Sequence, residues 1–351
     1  MTTPVNPSTP DSRLSLFPIT TRVASQNGHT VLTIAGQSLK ALADRFGTPL
    51  YLYDQATMDA CLSAYQQALQ QHYPGTSGIT YAGKAFLCLA IAQWVRQKGI
   101  TLDCSSAGEM HIAKLAGLTA SQLVAHGVNK SPADLQAAID HVGTIVVDNA
   151  FELARLCIFF KEKAPGDTSF PDIWLRLRPG VEVSTHTHIQ TGQQDSKFGL
   201  SPSEFMIAVK LCLEAGLPLK GLHFHLGSHL HTSEPLVSAI DTTLDLILRC
   251  QQQTGWLPEQ ICPGGGWGVA YHEDDLPHLP VERYINAVTQ QLIRSCQSHA
   301  VRMPHLQFEL NFTPPVNEKR EFAEAVKQHF AAVMSTGTDH IGITFRCYAA
   351  E

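Results

Sequence analysis

Short apolar runs alternate with amphipathic helical stretches along most of the chain. "HTVLTIAG" predicts a strand, and "SLKALADRFG" predicts a helix that ends at Gly47. The β-rich runs that follow are "PLYLYD", "ITYAGK", "ITLDCSS", "QLVAHG", "GTIVVDN", "IWLRLRP", "LKGLHFHLG", "QICPGGGWG" and "LQFEL". Such alternation without a domain-breaking linker indicates a parallel sheet covered by helices. We predict an α/β protein with a closed (β/α)8 barrel. A doubly wound open sheet stays open as an alternative, because periodicity does not show closure.

The chemically distinctive residues of this pattern lie where the predicted strands end. Lys84 ends "TYAGK", Asp103 ends "ITLD", and a triple glycine follows "ICP". Arg176 lies in "WLRLR" and His225 in "LHFHLG". Because active sites of such barrels lie at the carboxyl ends of the strands, we expect one site at that face.

Composition and net charge limit the classes of molecule that the protein is expected to bind. The chain has 351 residues, 44% of them hydrophobic, and a net charge of −6. It therefore offers no basic field for nucleic acid or an anionic membrane surface, and we expect a small substrate. The nine cysteines form no CxxC pair, which favours a reducing cytoplasm. The Pro-, Thr- and Ser-rich start lacks the apolar core of a signal peptide, and no apolar run suits a spanning helix.

Lys84 and the glycine run suggest cofactor chemistry. Most lysines at strand ends are solvated, but "AFLCLAIA" follows Lys84, so we expect its stem to be enclosed. Enclosure lowers the pKa of an amine, as a Schiff-base lysine requires. The backbone N–H groups of Gly264, Gly265 and Gly266 suit a phosphate, although a plain tight turn explains them equally well. No P-loop or GxGxxG pattern is present, which disfavours nucleotide binding.

Four histidines lie within the stretch "HFHLGSHLH". His223 and His225 share one face of a strand, an arrangement that metal-dependent hydrolases also use. A metal would need further ligands, for which His126 is the obvious candidate, whereas His186 and His188 are expected on a loop. The ligand set is incomplete, so we expect no metal. The alternative is one histidine stacked on a flat ring, which together with the lysine and the glycines describes pyridoxal phosphate.

Several stretches together resemble the alanine racemase-like, fold-type III pyridoxal-phosphate decarboxylases that act on ornithine, diaminopimelate or arginine. The matching stretches lie in order between residues 30 and 310, and "HTHIQTG" and "DSKFG" favour the diaminopimelate branch. The stretches are "FGTPLYLYD", "YAGKA", "LDCSSAGE", "HGVNKS", "VVDN", "LRLRPGVEVSTHTHIQTGQQDSKFGL", "GLHFHLGSH" and "CPGGGWG".

This resemblance implies a role for each matched residue. Lys84 would carry the cofactor, His225 would stack on its ring, and Glu309 would face the ring nitrogen. The remaining pocket residues are Ser228 and Gly264, Gly265 and Gly266 for the phosphate, with Asp103, Glu109 and Arg176 along the wall.

The implied reaction is decarboxylation of meso-diaminopimelate to lysine, by a homodimer that takes a small amino acid as substrate. The alternatives are a non-decarboxylating or racemase-like pyridoxal-phosphate protein and, less favoured, a metal-dependent hydrolase.

The chain departs from the family after Glu309. Where the family reads Glu-Pro-Gly-Arg, this chain reads "ELNFTPPVNEKREF", and the family's C-terminal β-domain has no match. Residues 303–351 instead resemble the β-α-β opening of the tautomerase (macrophage migration inhibitory factor-like) family. Pro304 is internal, so its nitrogen is not basic and no tautomerase site is expected. We predict three parts: a polar leader and strand (1–36), the cofactor-binding barrel (37–310) and the tautomerase-like tail (303–351).

The missing cover leads to two expectations about the surface. Phe224, Leu226, Trp267 and Val269 are expected to form an exposed apolar patch, and "HTVLTIAG" to present an unpaired edge. We therefore expect weak activity and a poorly soluble or non-native oligomer.

Overall fold

The structure is a computed structural model that describes residues 14–310, apart from 15, 27, 49, 163–169, 182–195 and 271–278, together with 343–345. Its described residues fall into two compact units. The smaller contains the described residues up to Ser63 together with 268–270 and 343–345, and the larger contains those from Ala64 to Trp267 and from Leu279 to Leu310.

The smaller unit is built around a three-stranded antiparallel sheet. Strand β2 pairs with β1 on one side and β3 on the other. The prediction that "HTVLTIAG" presents an unpaired edge is therefore wrong. The Ser38 side chain caps the following helix, and Gly47 ends it at a φ of 80°, as expected. The elements are β1 (Arg22–Gln26), β2 (His29–Ile34), β3 (Gln37–Ser38), α1 (Leu39–Phe46) and β4 (Leu50–Leu52); α2 (Gln55–His72) leads into the larger unit.

Among the described residues of the larger unit, eight parallel strands close into a barrel. This confirms the predicted architecture and excludes the open sheet. In chain order the strands are β5 (Ser77–Ala82), β6 (Thr101–Cys104), β7 (Leu123–Ala125), β8 (Thr144–Val147), β9 (Asp172–Arg176), β10 (Leu219–His223), β11 (Gln260–Cys262) and β12 (His305–Leu310). Around them lie α3 (Leu89–Lys98), α4 (Ala107–Leu115), α5 (Pro132–His141), α6 (Ala150–Glu162), α7 (Pro202–Ala215), α8 (Glu234–Thr254) and α9 (Val281–Ser298).

The strands are short and buried on both faces, as in other parallel sheets covered by helices. Two of the helices have clear start signals. Ser131 and Ser201 each form a capping box, and each is followed by proline at the first helical position. In the part of the chain that the structure describes, no helix has the length and apolar character needed to cross a membrane.

The stretch "PLYLYD" does form a strand, but that strand lies outside the barrel. It is β4, which pairs in parallel with the short strand β13 (Ile343–Phe345). Residues 303–310 of the predicted tautomerase-like tail include the barrel strand β12, whereas residues 311–342, including the predicted helix "EKREFAEAVKQHFAAVM", lie outside the described residues. The three domain boundaries therefore stay predictions.

The prediction of an exposed apolar patch at the strand-end face is wrong. Phe224, Leu226, Trp267 and Val269 are all buried, none of them more than 2% exposed. The Trp267 ring stacks on Tyr284 of α9, with centroids 4.7 Å apart, and lies near the ring of Phe308 on β12. Trp267 thus belongs to the packing between barrel and helix, which spacing along the sequence did not reveal.

Gly221 in β10 provides a test of barrel packing. A methyl group there would lie 2.7 Å from the carbonyl oxygen of Gln260 and 2.9 Å from the indole of Trp174. Gly221→Ala should therefore destabilise the protein by about 1–3 kcal/mol, measured by urea unfolding. The control Gly108→Ala, whose methyl group would lie 3.8 Å from the nearest atom, Ser106 Oγ, should leave stability unchanged or slightly raised. Equal midpoints for the two variants would contradict the described packing.

Candidate active site at the carboxyl ends of the barrel strands

Each barrel strand delivers a polar or glycine residue to the same face. Because all eight strands are parallel, their carboxyl ends meet at one mouth of the barrel. The residues at these ends are Lys84 after β5, Asp103 in β6, His126 after β7, Asp148 after β8, Arg176 in β9, His223 and His225 at β10, Gly264–Gly266 after β11 and Glu309 in β12.

A buried hydrogen bond between β10 and β12 lies at the centre of this face. His223 Nε2 is 2.7 Å from Glu309 Oε1, and both side chains are at least 96% buried. Burial by itself raises the pKa of Glu309, but the hydrogen bond with His223 and the charges around it bring that pKa well below its usual value. Burial also lowers the pKa of His223. A neutral imidazole therefore donates its Nε2–H to an ionised carboxylate.

His225 lies on the other side of the same carboxylate. Its Nδ1 is 3.5 Å from Glu309 Oε2 and accepts the N–H of Gly265 at 3.4 Å, which places the ring hydrogen on Nε2. Burial lowers the pKa of His225 well below its usual value, and the positive charge of Lys84 lowers it further. The imidazole is therefore neutral and held between the glycine loop and Glu309.

Asp103 is a second buried carboxyl group at this mouth. Its Oδ1 accepts the Thr80 hydroxyl at 2.9 Å. Burial raises the pKa of Asp103 well above its usual value, and the negative charge of Glu309 raises it further. Since two carboxylates close together resist ionising at once, Glu309 carries the charge and Asp103 keeps its proton.

His126 brings a third imidazole into the group. Its ring contacts that of His223 edge to face, with centroids 4.6 Å apart, and its Nε2 is 3.6 Å from Asp103 Oδ1. Donor atoms of His126, His223 and Glu309 lie within 4.8 Å of one another and could approach a metal ion. However, 2.7 Å between His223 and Glu309 is a hydrogen bond, because two ligands of one tetrahedral zinc lie roughly 3.3 Å apart.

Lys84 follows β5 in a short 3-10 turn, and the structure corrects one expectation about it. Its side chain is exposed at the mouth and is not enclosed by the apolar residues that follow it; of these, residues 89–92 form the start of α3. Its ammonium charge nevertheless acts on Asp103, His225 and Glu309. The amine thus faces solvent while lying close to the buried group.

Packing explains the glycines of the triple run. A methyl group on Gly264 would lie 2.6 Å from His225 Nδ1, and one on Gly265 or Gly266 would collide with the backbone of Glu309 or Gly227. Gly264 and Gly266 also have φ values of 77° and 88°. The loop therefore lies directly against the ends of β10 and β12, beside half-buried Ser228.

Arg176 and Glu109 complete the predicted residues. Arg176 is buried at the end of β9, where its Nη1 donates to Asp148 Oδ1 at 3.0 Å. Glu109 lies in the first turn of α4, and its Oε2 accepts the Ser105 N–H at 2.5 Å. The same oxygen would be 3.4 Å from a methyl group on Gly83, beside Lys84. The structure thus brings these two residues to the same mouth as Lys84, Glu309 and the glycine loop.

The sequence analysis considered His126 and His223 only as candidate metal ligands and gave Asp148 no role. The available signal was position, because each stands at or directly after a strand end. Their partners are distant along the chain: Glu309 lies 86 residues after His223. His186 and His188 lie outside the described residues.

The comparisons with known proteins agree with this arrangement. A family model described as "Pyridoxal-dependent decarboxylase, pyridoxal binding domain" matches residues 58–309. The chain is 34% identical over 287 residues to the diaminopimelate decarboxylase of Halalkalibacterium halodurans, covering 81% of this chain and 64% of that protein. It is 34% identical over 311 residues to that of Synechocystis sp., covering 86% of this chain and 64% of that protein.

Among solved structures, the chain is similar to diaminopimelate decarboxylase from M. jannaschii in complex with L-lysine. The TM-score is 0.71 at 26% sequence identity, covering 84% of this chain and 66% of that one. The chain thus spans somewhat less than two thirds of the length of the curated relatives named above.

The fold defines an α/β-barrel protein whose strand ends hold a group of carboxyl and imidazole side chains, here called the acid–histidine group: Asp103, His126, His223, His225 and Glu309. With the match over residues 58–309, the chain belongs to the pyridoxal-dependent decarboxylases.

The cofactor of this family, pyridoxal 5′-phosphate, fits the residues present. Its aldehyde needs an accessible amine, which Lys84 offers, and its protonated ring nitrogen needs a carboxylate, which ionised Glu309 offers. The glycine loop lies against His225 and Glu309, at the same mouth of the barrel as these groups.

Proposed function

We propose that this chain binds pyridoxal 5′-phosphate through Lys84 and decarboxylates an amino acid, with meso-diaminopimelate as substrate and lysine as product. The observation that supports this proposal most directly is the buried, ionised Glu309, which is hydrogen-bonded to His223. It lies at the same mouth of the barrel at which Lys84 is exposed. When bound, the cofactor accepts the electron pair that departing CO2 leaves on the substrate.

The proposed roles of the chain's residues follow from their protonation. Glu309 holds a proton on the ring nitrogen, because its lowered pKa leaves it charged near neutrality. His225 is neutral and buried, so its ring adds a flat apolar face without placing a positive charge beside that proton. Lys84 supplies the amine, and Ser228 with the glycine loop holds the phosphate. Asp103, Glu109 and Arg176 form the pocket wall.

The substrate assignment rests on the relatives. Two curated relatives at 34% identity are diaminopimelate decarboxylases, and a similar solved structure holds L-lysine. A non-decarboxylating or racemase-like protein would use the same lysine, and only an activity assay separates the two. A small amino acid is the ligand in either case.

The cellular location and the oligomeric state of the protein are also predictions. All eight described cysteines are free thiols, which supports a reducing cytoplasm. A homodimer is expected from the resemblance, and light scattering on the purified protein would measure it.

Borohydride trapping tests the lysine. After incubation with pyridoxal phosphate, the protein should show a Schiff-base absorption band, and reduction should fix the cofactor on Lys84, located by peptide mass spectrometry. Lys84→Arg keeps the charge but should lose the band, whereas Lys114→Arg, on the exposed face of α4, should keep it. A colourless wild-type protein with unmodified Lys84 would contradict the proposal.

Release of labelled CO2 tests the reaction. We expect CO2 from carboxyl-labelled meso-diaminopimelate, slowly, because the Gly-Arg pair that follows the matching glutamate in the family is absent here. Glu309→Gln should lower the rate on the order of a hundredfold, while the exposed Glu259→Gln should not change it. A protein with cofactor trapped on Lys84 that releases no CO2 from diaminopimelate would instead support the non-decarboxylating alternative.

A further inference from the structure

A second group of buried charges lies beside the acid–histidine group, on the β7 to β9 side of the barrel. It consists of Lys130, Asp148, Glu152 and Arg176, which we call the four-charge network. None of the four is more than 9% exposed. The two positive and two negative charges balance. Of these residues only Arg176 was singled out by the sequence analysis, and the reaction proposed above uses none of the other three.

At one end of the network, the guanidinium of Arg176 is held on two sides. Its Nη1 donates to Asp148 Oδ1 at 3.0 Å, and its central carbon lies 4.7 Å from the centroid of the Phe198 ring. The same carboxylate oxygen accepts the N–H of Gly199 at 3.3 Å. A carboxylate and an aromatic face together fix both the direction and the plane of a guanidinium group.

At the other end, Asp148 is itself held in place. Its backbone N–H donates to Glu152 Oε2 at 3.0 Å, and that oxygen also accepts Lys130 Nζ at 2.9 Å. The other two ammonium hydrogen bonds of Lys130 go to the carbonyl oxygens of Gly127 and Val146, at 2.7 and 2.8 Å. Glu152 Oε1 accepts the Lys130 backbone N–H at 3.1 Å. The Lys130–Glu152 pair thus ties the segments after β7 and β8 together.

Such a network is costly to bury. Burial lowers the pKa of Lys130 although Glu152 opposes it, and burial raises the pKa of Asp148 although Arg176 opposes it. Packed apolar side chains of similar volume often stabilise a protein as well as buried ion pairs do. Stability alone therefore gives no reason for four charges at this place.

The network instead places one positive charge at the mouth. The charge of Arg176 helps to lower the pKa values of His126, His223 and His225, so its guanidinium lies within electrostatic reach of all three imidazoles. These are the groups that surround Glu309. A guanidinium that moved would change the field around that carboxylate.

We propose that Asp148 is a positioning residue that fixes the guanidinium of Arg176 against the cofactor pocket, and that the Lys130–Glu152 pair fixes Asp148. The pocket's role as a cofactor site rests on the proposed function, whereas the fixing of Arg176 does not.

The first arm of the test uses cofactor-free protein. In protein labelled with ¹⁵N-arginine, the side-chain signals of Arg176, assigned with Arg176→Gln, should show slow guanidinium rotation. Asp148→Asn should speed that rotation, and Glu152→Gln should do so to a smaller extent. Asp140→Asn, which changes an exposed aspartate on α5, should leave the signals unchanged. Folded Asp148→Asn and Glu152→Gln proteins that both keep slow rotation would overturn the proposal.

The second arm measures the dissociation constant of pyridoxal phosphate for Asp148→Asn, Arg176→Gln and the double variant. Asp148→Asn should weaken binding roughly tenfold. The double variant should bind no more weakly than Arg176→Gln alone, because Asp148 acts through Arg176. If the losses of affinity in the two single variants instead multiply in the double variant, Asp148 acts independently of Arg176, and its positioning role would be overturned. If the wild type binds no pyridoxal phosphate while Asp148→Asn still frees the guanidinium, the proposed function fails and the fixing of Arg176 stands.

Discussion

A buried negative charge on Glu309 is the constraint on which this strand-end face depends. A carboxylate almost without solvent must be stabilised by donors and positive charges, or it takes up a proton. His223 donates to it at 2.7 Å, and the positive charge of Lys84 also favours its ionised form. Its backbone N–H also donates to the Gly264 carbonyl oxygen at 3.0 Å. One residue on β12 therefore ties the ends of β10 and β11 to its own strand.

The same constraint assigns protons to the neighbouring groups. Asp103 faces the charge of Glu309 in a buried setting and keeps its proton, while burial keeps the three imidazoles neutral. Arg176, fixed by Asp148, adds a permanent positive charge at the edge of this group. Pyridine-ring chemistry needs one stable anion opposite the ring nitrogen, and this arrangement provides one without a competing second anion.

The barrel and the positions of the candidate residues followed from the sequence because both depend on local pattern. Strand–helix alternation gives a parallel sheet, and parallel strands bring their carboxyl ends to one face, so Lys84, Asp103 and Arg176 could be placed together. Contacts between distant segments could not be obtained this way. The His223–Glu309 bond and the packing of Trp267 against α9 each join residues whose proximity no local pattern encodes. Lys84 shows a further limit, because apolar neighbours along the chain did not predict its exposure.

The titration of the two carboxyl groups tests this account most directly. In protein labelled with ¹³C at the side-chain carboxyl groups, signals assigned with Glu309→Gln and Asp103→Asn report the pKa of each. We expect Glu309 to titrate below the usual value for glutamate, because its hydrogen bond with His223 and the nearby positive charges outweigh burial, and Asp103 to titrate above the usual value for aspartate. In His223→Gln, the pKa of Glu309 should rise. The reverse order, with Glu309 holding its proton at neutral pH while Asp103 is ionised, would contradict the central claim.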